Sequence, residues 1–110
     1  MDDRTLTALR QSIEKWERNA VAETPDDYAT SVGSCALCCL FWENRCRGCP
    51  VTDATGGVRC DWTPYWVANA ARSEWSDCPS NLTLRDAAHA AARAEVEFLR
   101  SLLPEEEATP

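Results

Sequence analysis

The chain has 110 residues, 45% of them apolar and 26% charged, and a formal net charge of −7. That length makes one domain with a modest core, and the acidic balance counts against nucleic-acid binding, which draws most of its affinity from a basic footprint. No apolar run approaches the roughly 20 residues that span a bilayer, and MDDRTLTALRQ lacks the basic and apolar regions of a secretory leader, so a soluble, cytoplasmic protein is the expectation.

The spacing predicts a first helix from about Thr5 to Ala22. Leu6, Leu9, Ile13, Trp16 and Ala20 recur at intervals of three and four along one face. Arg10, Gln11, Glu14, Lys15, Glu17 and Arg18 fall between them and read as the solvated side, with Glu14 and Arg18 one turn apart. Thr24-Pro25-Asp26-Asp27 ends this helix, because a proline disfavours helix in the residue before it. Tyr28 to Ser34 is a connector.

A cysteine-rich loop occupies Cys35 to Cys60. Leu37 to Trp42 can form one short helical turn within it, and Gly56-Gly57 marks a turn between two short strand-like segments over 52–59. Thr63-Pro64 reads as a helix start, with threonine at the N-cap and proline at the first helical position. This second helix runs to about Glu74 or Trp75 with Tyr65, Trp66, Ala70 and Ala71 facing inward. After a loop over 76–80, Thr83 to Asp86 resembles a capping box, and the following stretch is rich in strong helix formers. Leu84, Ala88, Ala91, Phe98, Leu99, Leu102 and Leu103 mark one face, the alanines allowing close approach of a partner helix. Pro104 ends it. The expected fold is mainly α: a small three-helix domain over residues 1–104, with a zinc-stapled Cys-rich loop between helices 1 and 2, then an acidic disordered tail over 105–110.

The seven cysteines carry the chemistry. Their odd number argues against a closed disulfide framework, and in a reducing compartment clustered thiols point to metal or redox chemistry. Cys35, Cys38, Cys46 and Cys49 form C-x2-C-x7-C-x2-C. Two residues between thiolates let both sulfurs of a pair face one ion, and four sulfurs complete a tetrahedral Zn²⁺ shell at about 2.3 Å each. Cys60 is a fifth candidate, so the expected ligands are four of these five. An iron–sulfur cluster is the alternative, since Cys-x-x-Cys and Cys-Pro runs also occur in ferredoxins, although there the cysteines are more tightly spaced in one run. Cys39 and Cys78 fall outside the set, because neighbouring side chains such as those of Cys38 and Cys39 diverge.

His89, the single histidine, lies on an alanine-rich helix and reads as a surface or interface residue. Without a second histidine or a nucleophile–His–Asp arrangement the chain lacks the equipment of zinc hydrolases, and a zinc closed by four sulfurs is structural, so no enzyme is expected. A thiol redox protein is the competing class, though a thioredoxin-like site belongs in a βαβ context. Trp16 and Trp66 sit on inner faces, and Trp42 and Trp62 flank the cysteine loop as a cover. Trp75 is the candidate for an exposed aromatic anchor, weighed against a place in a satellite core. Arg45, Arg47 and Arg59 are the basic residues of the loop; beside Trp42 and Trp62 they would serve a nucleic-acid-binding zinc-finger-like protein, the second alternative.

Cys-Ala-Leu-Cys at 35–38, Cys-Arg-Gly-Cys-Pro-Val at 46–51, Thr55-Gly56 and Cys60-Asp-Trp-Thr-Pro-Tyr at 60–65 together resemble a pattern, CxLC…CxGCPV…TG…CxxTPY, found in small cysteine-rich proteins of bacteriophages and prophages. The resemblance covers most of residues 6 to 104. It implies metal binding at Cys35, Cys38, Cys46, Cys49 and Cys60, a phage setting in the cytoplasm of a bacterial host, and no defined biochemical function. The expectation is a non-catalytic interaction protein that binds, and inhibits or redirects, a host protein such as a defence or nucleic-acid-handling factor.

Overall fold

The computed structural model describes residues 1–31, 35–41, 46, 48–56 and 63–104. Five helices occur in the order α1 (Asp3–Asn19), α2 (Ala36–Phe41), α3 (Pro50–Ala54), α4 (Pro64–Asp77) and α5 (Leu82–Ser101), with one 3₁₀ turn at Pro25–Asp27. The protein is mainly helical, and no strand occurs among the described residues. None of these helices is long and apolar enough to cross a membrane.

α1 starts two residues earlier than the spacing predicts. Asp2 caps it, its carboxylate accepting from the Thr5 N–H at 2.8 Å, which holds that carboxyl below its ordinary value. An acid at this end also suits the positive pole of the helix dipole. The helix stops at Asn19, whose side chain serves the connector instead. Its buried stripe runs Thr5, Ala8, Leu9, Ser12, Ile13, Lys15, Trp16 and Asn19. The period is as expected, but Lys15 belongs to the buried side and not the solvated one.

The short helices of the loop depart from expectation more. The helical turn between the cysteine pairs is present as α2. The strand-like reading of 52–56 is overturned: Pro50 sits at the first position of α3 with Cys49 extended before it (φ −66°, ψ 130°), so the chain enters a helix already preset by the proline ring. Gly56 then closes α3 with φ +73°, the left-handed conformation glycine tolerates best at a helix end. Residues 57–59 of that reading lie outside the described residues.

α4 begins after Thr63 as expected, although the threonine side chain makes no cap hydrogen bond. Its inward face is Tyr65, Ala68, Ala71 and Trp75, while Ala70 is exposed and Trp66 is 54% exposed. The inner-face reading of Trp66 and Ala70 is thus corrected. Trp75 is fully buried and donates through Nε1 to the Pro79 carbonyl at 3.2 Å. The anchor reading of Trp75 falls and the core reading holds.

α5 is capped by Asn81, whose Oδ1 accepts from the Thr83 and Leu84 N–H groups at 3.0 and 3.1 Å. This displaces the expected Thr83 cap by two residues, asparagine being among the strongest N-caps. α5 packs against both α4 and α1, and α1 packs against α2. Ala88, Ala91 and Ala92 are buried, and their small side chains allow two neighbours to approach one helix. Leu9, Ile13, Trp16, Val96 and Leu99 complete this core. Burying side chains of this size contributes about 1.5–3 kcal/mol each.

One aromatic file runs through the centre: Trp16 stands edge-on to Tyr28 (5.8 Å) and Tyr65 (6.1 Å), Tyr28 to Trp75 (6.2 Å), and Trp75 to His89 (5.8 Å). These T-shaped contacts are the favoured geometry for ring quadrupoles. Around Tyr28 the connector forms a strap with little backbone pairing of its own. Asn19 grips Ala29 on both sides, donating to its carbonyl at 2.8 Å and accepting from its N–H at 2.9 Å. Arg72 Nε donates to the Tyr28 carbonyl at 2.7 Å, and the Tyr65 hydroxyl to that of Thr30 at 2.8 Å. Side chains from α1 and α4 thus satisfy backbone groups that would otherwise be buried unpaired.

Candidate metal centre

Cys35 immediately precedes α2; its carbonyl accepts the first bond of the helix, from the Cys39 N–H at 3.0 Å. Within α2, Cys38 turns toward Cys35 while Cys39 is exposed. The second pair is formed by a tight turn. Cys46 has φ +67° and Gly48 φ +85°, and the Cys49 N–H donates to the Cys46 carbonyl at 3.2 Å. Glycine suits such a conformation because it has no Cβ to clash. A Cβ on Gly48 would also meet the Phe41 ring at 3.4 Å.

Phe41 ties the two pairs together. It is the last residue of α2; its carbonyl accepts from the Cys46 N–H at 2.9 Å, and its ring lies against Gly48. Cys49 then precedes α3 and is buried, whereas Cys35, Cys38 and Cys46 are half-buried. None of the described cysteines is in a disulfide.

The thiols of Cys35 and Cys49 are shifted in opposite directions. A hydrogen bond from the Cys38 side chain is the main force drawing the Cys35 thiol down to about 5, against the penalty of burial; the Cys38 N–H, the Ser12 hydroxyl and the Lys15 ammonium assist. That direction favours the thiolate of Cys35, the form that ligates metals and attacks electrophiles. Burial pushes the Cys49 thiol up, and the charges of Cys46 and Cys35 add to this, while the N–H groups of Thr52 and Val51 face its sulfur and oppose it.

Among the described residues no group of three or more His, Cys, Asp or Glu side chains is arranged to hold a metal ion. Cys60 lies outside the described residues, as do Arg45, Arg47, Arg59, Trp42, Trp62 and the tail over 105–110. Soft sulfurs are the donors a thiophilic cation takes, but the described residues do not bring three of them together.

His89 stands apart from the cysteines. Its Nε2 is 2.7 Å from the Ala22 carbonyl, and since a carbonyl only accepts, Nε2 carries the proton. Cys78 is exposed at the end of α4.

Sequence reasoning missed three polar residues near Cys35: Ser12 and Lys15 on α1 and Glu95 on α5, all buried. A signal existed. Ser12 lies four residues from both Ala8 and Trp16, and Glu95 four from both Ala91 and Leu99, so helical spacing places them on the inward stripes.

The chain matches no protein-family model, no curated protein and no solved structure.

Proposed function

We propose that the chain is a small, non-catalytic zinc-binding domain of phage type that acts by binding a host protein in the bacterial cytoplasm. What supports the metal half is the spacing of the two Cys-x-x-Cys pairs, the backbone link by which the Phe41 carbonyl accepts from the Cys46 N–H, and the downward pull of Cys38 on the Cys35 thiol. Metal ligands must be deprotonated, and an ionised sulfur in a half-buried pocket is poised for a cation. Cys35, Cys38, Cys46 and Cys49 are the ligands this reading favours, with Cys60 able to replace one of them. The ion would supply a cross-link between the α2 and α3 segments.

The host-partner half rests on the phage resemblance and on charge. A net charge of −7 suits a basic partner surface. With Trp75 in the core, Trp66 and Val67 on α4, 54% and 60% exposed, take its place as the apolar contact.

Elemental analysis and an absorbance spectrum of anaerobically purified protein test the metal. One zinc per chain and a colourless spectrum are expected; iron with a visible band would move the assignment to an iron–sulfur protein, and absence of any metal would end it. Binding to host proteins should be lost in Trp66→Ala. Retention would remove α4 from the contact surface.

A second reading has its own observation. The depressed Cys35 thiol beside Cys38 is also what a dithiol redox couple requires. Mass spectrometry of thiol-trapped protein poised in glutathione buffers decides this: a reversible Cys35–Cys38 disulfide favours redox work, and its absence favours the metal.

A further inference from the structure

α4 packs on one side only. Tyr65, Ala68, Ala71 and Trp75 face the core, and helical spacing puts Trp66, Val67, Ala70, Glu74 and Asp77 on the opposite side, where all of them are exposed. Trp66 and Val67 form an adjacent apolar pair, 54% and 60% exposed. The other large apolar side chains exposed among the described residues, Met1, Val21 and Leu82, stand singly along the chain. Scattered single residues are ordinary on a surface, and a contiguous patch marks a contact.

The two ends of this face differ in chemistry. The first turns of α4 are apolar outside, while the last turn carries Glu74 and Asp77 and no basic residue. Carboxylates there lie at the negative pole of the helix dipole, which disfavours them. Neither is in an ion pair among the described residues. Arg72, the one cation of α4, turns away and donates to the Tyr28 carbonyl at 2.7 Å.

Charge and length decide what fits such a face. At about 1.5 Å per residue, Trp66 and Asp77 stand about 16 Å apart along the axis, the reach of a peptide segment of roughly three helical turns. A second copy fits badly over that length. Parallel pairing sets the acids against themselves, and antiparallel pairing sets them on Trp66 and Val67, burying carboxylates without a counter-charge. Nucleic acid would add negative charge to negative charge.

We infer that the outer face of α4 docks a basic amphipathic segment of a partner protein. Its apolar side chains lie on Trp66, Val67 and Ala70, and its Lys or Arg side chains reach Glu74, Asp77 and the carbonyl end of the helix. The inference rests on the partner-binding reading above and deepens it by giving the partner's chemistry. The acids also fix direction, because a reversed segment sets apolar side chains on the carboxylates.

The test uses two synthetic helix-forming peptides, one with a leucine-lined first half and lysines in the second, the other with glutamates replacing those lysines. Each is titrated into the isotope-labelled full chain and followed by amide chemical shifts. The lysine peptide should bind at least tenfold more tightly than the glutamate peptide, more weakly as salt rises, and with shifts centred on α4. Trp66→Ala should weaken it about tenfold, as loss of an aromatic anchor does. Glu74→Lys combined with Asp77→Lys, both at exposed positions and checked for folding by circular dichroism, should reverse the preference. Equal affinity for the two peptides, binding of neither, shifts centred elsewhere, or an unreversed preference overturns the inference. So do α4 shifts that grow with chain concentration without peptide, which would mean a second copy covers the face. Capture of host proteins that survives the double charge reversal removes this inference and leaves the partner reading, whereas a parent that prefers the lysine peptide yet captures no host protein removes only that reading.

Discussion

The Tyr28 hydroxyl donates a buried 2.8 Å hydrogen bond to the Ala88 carbonyl, joining the strap to the middle of α5 across 60 residues of sequence. Burial pushes the phenol up, with the Glu95 charge adding to it, so the proton needed for that bond stays in place. Tyr28→Phe keeps the ring in its edge-on contacts with Trp16 and Trp75 and deletes only the bond. A loss of about 1 kcal/mol in urea unfolding is expected; an unchanged midpoint and slope would show that the bond contributes nothing net.

Asn19 should matter more than its polar character suggests. It is 1% exposed and satisfies both backbone groups of Ala29. Asn19→Ala strands a donor and an acceptor together, at roughly 1–3 kcal/mol for each buried group left unpaired. Amide hydrogen exchange at Ala29 should rise sharply in the variant. Protection equal to the parent would mean that another group takes over the strap.

Trp75 belongs to the interior, and its variants should behave accordingly. Trp75→Ala opens a large cavity between α4 and α5 and should cost about 3–5 kcal/mol. Trp66→Ala, at an exposed position of the same helix, should stay within about 0.5 kcal/mol of the parent. Equal losses at the two positions would contradict the orientation of α4.

Glu95 gives the stability a definite pH dependence. Burial first, and the Cys35 charge second, push its carboxyl from 4.5 to about 7, with Lys15 pulling the other way. The folded chain holds that proton more tightly than the unfolded one, so this contribution is present below pH 4.5 and is lost as pH rises through about 7. Cys35 has the opposite sign: its thiol is drawn from 9 to about 5, so its contribution is full above pH 9 and is lost as pH falls through 5. In chelator-stripped protein, Glu95→Gln should therefore gain up to roughly 3 kcal/mol on the parent between pH 4.5 and 7.5. A difference that stays constant over that range in denaturant titrations would sink this account.

The periodicity of α1 and α5 was legible because Leu9, Ile13 and Trp16, and Ala88, Ala91 and Leu99, repeat at helical spacing. α4 was legible in extent and only partly in phase. Its true inner stripe reads Tyr65, Ala68, Ala71, Trp75, and the bulk of Trp66 beside Tyr65 pulls a sequence-only assignment onto the neighbouring face. The cysteine pairs announced themselves by spacing. Their surroundings did not, since Ser12, Lys15 and Glu95 are residue types whose burial is decided by tertiary partners rather than by composition. The strap was illegible for a related reason: its hydrogen bonds come from side chains on other elements, and no local pattern encodes them.

Those strap contacts also dictate an order of assembly. The side chains that hold residues 28–30 come from positions 10, 35 and 44 residues away in sequence, and Tyr28 itself reaches 60 residues onward. Closing the longer of these loops costs chain entropy before their bonds form, so the full set of strap bonds is complete only once α1, α4 and α5 have met. Cys35 lies five residues beyond Thr30 in sequence. Isolated zinc-finger peptides stay unfolded until their ion arrives; here an ion would reach thiols already displayed on a folded helical body, and stripping it should loosen the α2–α3 segment while the three long helices persist.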